Sequence, residues 1–190
     1  MFKHILLTLA AIGILASLGG LAGLAVFTDQ ATIGANAFDT GNVAISTTPA
    51  TALVTFTAMA PGDSVQPAAG VVVSNDGSIE LRYAISSVTT EDTLAAALDL
   101  TIRETDVAGP PNCDDFDGAI RYGPDDLGLL AGINLIGDPA QGVQGGERVL
   151  AAGNSETLCF RVEFPLAATG PEGASTTATF TFDAEQTVNN

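Results

Sequence analysis

The run VVVSNDGSIELRYAIS, residues 71–86, decides the fold class. Its three opening valines are β-branched and favour extended backbone over helix. Asn75, Asp76, Gly77 and Ser78 follow, a set that turns the chain through side-chain hydrogen bonds and left-handed backbone, and they predict a hairpin. Beyond the turn Ile79, Leu81, Tyr83 and Ile85 alternate with Glu80, Arg82, Ala84 and Ser86. Successive side chains of a strand point to opposite faces, so this spacing predicts a half-buried strand with a polar face toward solvent.

The same signal extends in both directions. Upstream, Val43 and Ile45 alternate with Ala44 and Ser46, and ATALVTFTAM (50–59) reads as a strand closed by the Pro61-Gly62-Asp63 turn. Downstream, Leu98, Leu100 and Ile102 alternate with Asp99, Thr101 and Arg103. Leu158, Phe160, Val162 and Phe164 face away from Cys159, Arg161 and Glu163, and Ala178, Phe180, Phe182 and Ala184 mark a last core face. Only EDTLAAAL (91–98) suits a helical turn, with its acids at the end the helix dipole favours. Residues 106–147 are rich in Gly, Pro and Asp and predict a long connection with one or two short strands, tied down by Cys113. Eight or nine strands separated by turns predict an all-β chain, an antiparallel jelly-roll-like β-sandwich.

The N-terminus is read separately. After Lys3 there is no charge from residue 5 to 26, and small residues at Gly23 and Ala25 suit signal peptidase cleavage near Ala25–Val26 or Val26–Phe27. Residues 1–26 are therefore expected to be a signal peptide, and 27–190 one domain. The competing reading is an uncleaved anchor, because the run matches the ~20 apolar residues that span a bilayer. Removing Lys3, the only lysine, leaves five arginines against 22 acids, a net charge of 5 − 22 = −17. That charge argues against nucleic acid as a partner. In an exported chain the two cysteines, Cys113 and Cys159, are expected to form a disulfide.

Chemistry is sparse. His4, the only histidine, falls in the segment expected to be removed, so the mature chain offers no His-ligated zinc and no His-based nucleophile pair. Ser74, Ser78 and Ser155 occupy turn contexts. Asp114, Asp115, Asp117, Asp125 and Asp126 resemble the start of a calcium loop, but Ala119 and Asp126 stand where further ligands belong, and a solvated acidic loop is the preferred reading. Paired carboxylates for glycoside hydrolysis lack an aromatic sugar platform, with no Trp and two Tyr. No enzyme activity, metal, cofactor or small-molecule substrate is expected.

Four motifs in order resemble the TasA/camelysin family of exported proteins: AVFTDQ (25–30) with AFDTGNVAI (37–45), APGDSVQPAAGVVVSNDGSIELRY (60–83), AAGNSETLCFRVEFP (151–165) and ATFTFDAEQT (178–187). The resemblance covers both ends and leaves 106–147 uncovered. It implies a jelly roll, cleavage by a dedicated ER-type signal peptidase, and a secreted subunit of an extracellular or biofilm-matrix fibre. In fibre-forming members the mature N-terminal strand completes a sheet of the next subunit. Carried over, residues 27–40 become the candidate donor strand, with Phe27, Thr28, Asp29, Ile33 and Phe38 as its assembly residues. The expected partner is a second copy or a related matrix protein, and the rival reading is a monomeric surface adhesin or binding module. A camelysin-type metalloprotease is the last-ranked rival, and that activity is not carried over from the resemblance, because the expected mature chain has neither histidine nor HExxH.

Overall fold

The β-branched and alternating runs fold as strands. In a computed structural model the described residues are 41–50, 59–105, 112–168 and 173–188, all within the compact unit Thr40–Asn190. The expected signal segment, the candidate donor residues Phe27, Thr28, Asp29, Ile33 and Phe38, and most of the strand expected over 50–59 lie outside them. Ten strands are present among the described residues: β1 Ile45–Thr48, β2 Ser64–Val65, β3 Val71–Asn75, β4 Leu81–Thr89, β5 Asp99–Glu104, β6 Ile120–Asp126, β7 Ile133–Ile136, β8 Arg148–Leu150, β9 Ser155–Glu163 and β10 Ala178–Gln186.

They form two antiparallel sheets. The first runs β1-β3-β9-β5-β6, with β2 continuing the row of β3 along β9; the second runs β10-β4-β7, with β8 continuing the row of β7 along β4. Val73, Leu100, Ile102 and Leu158 from the first sheet and Leu81, Tyr83 and Ile85 from the second are fully buried, so the sheets enclose one core. This is the antiparallel β-sandwich expected from the alternation, with ten strands because two rows are each split in two.

The turn at Asn75–Ser78 is not a hairpin. β3 pairs with β1 and β9, while β4 pairs with β10, β7 and β8, so the chain changes sheets there. The cause lies in Asn75, which is 1% exposed. Its Nδ2 donates to the carbonyls of Ile79 and Leu150 at 2.9 Å, and its Oδ1 accepts from Gly77 N–H at 2.9 Å. Those bonds hold a corner that lets Val71 and Val73 face Leu81, Tyr83 and Ile85 across the core. In a hairpin the two strands would lie side by side in one sheet.

The polar face expected on β4 is covered as well. Arg82 and Ala84 are only 4% and 2% exposed. Arg82 Nε stands 2.5 Å from Glu185 of β10 and 3.5 Å from Glu147, and Gly142 N–H donates to Glu185 at 3.1 Å. The chain between β7 and β8 thus folds over this part of the second sheet.

Residues 106–147 do hold two short strands, but these are integral to the sandwich: β6 edges the first sheet and β7 belongs to the second. Before β6, residues 112–119 lie on the outer face of the first sheet. Cys113 and Cys159 form a disulfide, and Gln66 Nε2 donates to Cys113 O. Phe116 has the guanidinium groups of Arg161 and Arg103 at 4.4 and 5.3 Å from its ring centroid. Gly70 is required beneath this staple: a Cβ there would sit 2.6 Å from Leu158 O and 2.7 Å from Cys113 Sγ. The helical turn expected near 91–98 is a 3-10 turn, Ala95–Ala97, and the Glu91 carboxylate accepts from Thr93, Leu94 and Ala95 N–H.

Candidate assembly surface

A strand added to a sheet needs an edge whose amides and carbonyls are open, and proteins usually blunt such edges with proline, bulges, charge or short strands. The described edges differ sharply in this respect. β6 contains Gly123 at φ +73° and Pro124, carries Arg121, Asp125 and Asp126, and pairs with β5 through two register shifts. β7 and β8 have four and three residues and are separated by the covering loop. β1 has four residues and ends at Pro49.

β10 has none of these protections over Ala178–Phe182, and its first charge is Asp183. It is a nine-residue strand without Gly or Pro, in unbroken register with β4 from Ala178↔Thr89 to Gln186↔Leu81. Among the described residues it has a ladder partner on one side only. Phe180 and Phe182 point inward, with ring centroids 5.3 Å from Phe160 and 6.2 Å from Tyr83. Both remain half-buried, whereas Phe160 and Tyr83 are buried. The core is therefore incompletely covered along this edge.

The chain enters the sandwich beside the far end of the same strand. Asn42 N–H donates to Ser78 Oγ and Ser78 N–H to Asn42 O, both at 3.0 Å. Two residues on, Glu80 O accepts from Thr187 N–H at 3.3 Å, and Thr187 Oγ1 donates to Glu80 Oε1 at 2.8 Å. The corner between β3 and β4 thus carries both the start of the described domain and the end of β10.

Across the sandwich, a charged cluster ties the sheets together. Tyr83 Oη donates to Glu156 at 2.7 Å, Arg148 bonds Glu156 and also Glu104 at 2.9 Å, and Arg121 Nε donates to Glu104 at 2.9 Å. Burial, then the Glu156 carboxylate, pushes the Tyr83 phenol well above its ordinary value. The hydrogen bond to Glu156 raises Arg148 despite its burial.

All five arginines beyond the expected signal segment have partners within the chain: Arg82, Arg121, Arg148 and Arg161 in ion pairs, Arg103 with Gly118 O and the Phe116 ring. The aspartates weighed as a cation loop are separated, with Asp114, Asp115 and Asp117 in the stapled loop and Asp125 and Asp126 at the end of β6. No group of His, Cys, Asp and Glu among the described residues is arranged to hold a metal ion. Sequence reasoning identified the inward face of β10 but not that it is an edge among the described residues; the lack of Gly, Pro and early charge in ATFTFDAEQ was the available signal.

No protein-family model matches the chain. No curated protein is similar to it in sequence.

Proposed function

We propose that this protein is a secreted structural subunit of the TasA/camelysin type, and that residues 27–40 of one copy add as a strand to the β10 edge of the next. The observation that carries the reading is the edge of β10, long and in unbroken register, which has no second ladder partner among the described residues and carries no Gly, Pro or charge over Ala178–Phe182. An added strand would gain main-chain hydrogen bonds and complete the cover over Phe180 and Phe182. Head-to-tail addition of this kind does not close on itself and so builds a filament. The buried disulfide is in keeping with an oxidising, extracellular setting.

For an arm that pairs antiparallel with β10, chain direction favours a neighbour over self-completion. Gly41 lies by the corner where β10 ends, so an arm pairing antiparallel with its own β10 must first travel back to Ala178. From the corner at Thr187 that distance is about 30 Å at the strand rise per residue. It consumes roughly nine of the arm's residues, Phe38 and Ile33 among them, and leaves about five to pair. A neighbouring copy can receive the arm in full.

The test is deletion of residues 27–40 followed by electron microscopy, with a synthetic 27–40 peptide returned to the truncated protein. The reading expects a folded core that makes no filament, binds one peptide, and gains amide protection along β10. Filaments of normal length from the truncated core would refute it.

A further inference from the structure

Like charges directly opposed across strands destabilise a sheet. At one end of the outer face of the first sheet this occurs twice in a single row. Asp99 of β5 stands opposite Glu163 of β9 on one side and opposite Asp126 of β6 on the other. Asp125 of β6 is opposite Leu100, one position along. The neighbouring cation is Arg161, two residues along β9 and opposite Thr101, whose Nη2 is 3.4 Å from Glu163 Oε2, with both side chains about a third exposed (31% and 39%). Beyond Glu163 the row ends in uncharged Ser64 of β2. Tyr122 is the remaining titratable group here, its hydroxyl donating to Asp126 O at 2.8 Å.

The strand held by this row is already the most interrupted in the sheet. β6 meets β5 through register shifts on both sides of Ile102, contains Gly123 and Pro124, and among the described residues pairs on one side only. A Cβ at Gly123 would lie 1.9 Å from Leu100 O, so the chain passes there without room for a side chain.

We infer that the row Glu163–Asp99–Asp126 is a proton-operated latch: at neutral pH its mutual repulsion loosens β6 from β5, and acidification closes that edge. Burial, then Glu163, Asp125 and Asp126, hold the Asp99 carboxyl above the usual carboxylate range. The folded state therefore binds this proton more readily than the unfolded chain. Stability from the row is gained as pH falls through the raised value of Asp99, and is absent above it, including at neutral pH. Loosening β6 uncovers the edge of β5, so the latch also sets whether the first sheet presents a second open edge. This inference does not depend on the fibre reading.

The test compares amide hydrogen exchange of residues 120–126 and 99–104 in the full chain, at about pH 7.5 and about pH 5, after correction for intrinsic exchange. Asp99→Asn and Asp126→Asn each remove one charge from the row. Asp115→Asn removes the same charge from the exposed loop as a control. At about pH 7.5 both row variants are expected to slow exchange in β5 and β6 several-fold and to raise Tm by about 2 °C. They should also lose most of the wild-type response to acid. No local slowing in either variant, or an equal effect of Asp115→Asn, would overturn the latch and assign any acid response to net charge.

Discussion

Replacing both Cys113 and Cys159 with alanine should remove about 4 kcal/mol of stability, and the structure says where the loss arises. The two residues are 46 apart in sequence. Closing a loop of that length restricts the unfolded chain by about 14 cal/mol/K, which is about 4 kcal/mol at room temperature. For a domain of this size that corresponds to a fall in Tm of roughly 8–16 °C. The bridge is 0% and 2% exposed at its two cysteines, beneath residues 112–119 and over Gly70. Reductant should therefore leave the native protein intact and act only on molecules that have opened. Urea unfolding of the wild type and the double variant measures the first quantity; thiol release in dithiothreitol against urea concentration measures the second. A stability loss below about 1 kcal/mol would show that the cross-link does not act on the unfolded chain as argued. Rapid thiol release from fully folded protein would show that the 112–119 staple does not shield it.

Three further expectations follow from the same contacts. Asn75→Ala leaves the carbonyls of Ile79 and Leu150 without their side-chain donor inside the corner, and should cost about 2–4 kcal/mol by urea unfolding, with a loss near zero excluding the corner as a determinant. Tyr83→Phe removes the hydroxyl from Glu156 while Arg148 remains; it should cost about 1–2 kcal/mol, and clearly less if Glu156 is already Gln, a coupling that a double-mutant cycle reads directly. Because all five arginines are engaged within the chain and the net charge of the full sequence is −16, the proposed fibre assembly should rise in yield as salt is raised from about 0.05 to about 0.5 M. Yield that is flat or falling with salt would count against repulsion as the barrier to assembly.

Alternation told which side of each strand faces the core, because that depends only on the period of two in extended backbone. Leu158, Phe160 and Val162 of β9 and Leu81, Tyr83 and Ile85 of β4 all obey it. The opposite faces did not follow the same logic. Cys159 is 2% exposed and Arg82 is 4%, because segments distant in sequence, 112–119 and 138–147, fold over them. Local pattern carries no information about such covers. Asn75–Ser78 likewise announced a reversal of direction without saying whether the next strand stays in the sheet. That choice rests on Leu150, 75 residues away, accepting the Asn75 side chain.

By itself, then, the sequence determined an all-β chain, its inward faces, its acidity, and a cysteine pair suited to a disulfide in an exported chain, since these depend on composition and on neighbours one or two residues apart. Tertiary structure alone decided which strands share a sheet, which edge lacks a second ladder partner among the described residues, and which carboxylates meet across strands. Asp99, Asp126 and Glu163 have no special spacing in the sequence; they meet because β9, β5 and β6 pair in one particular register. Register is a property of the whole core, fixed by burying both inward faces at once, and no single strand encodes it.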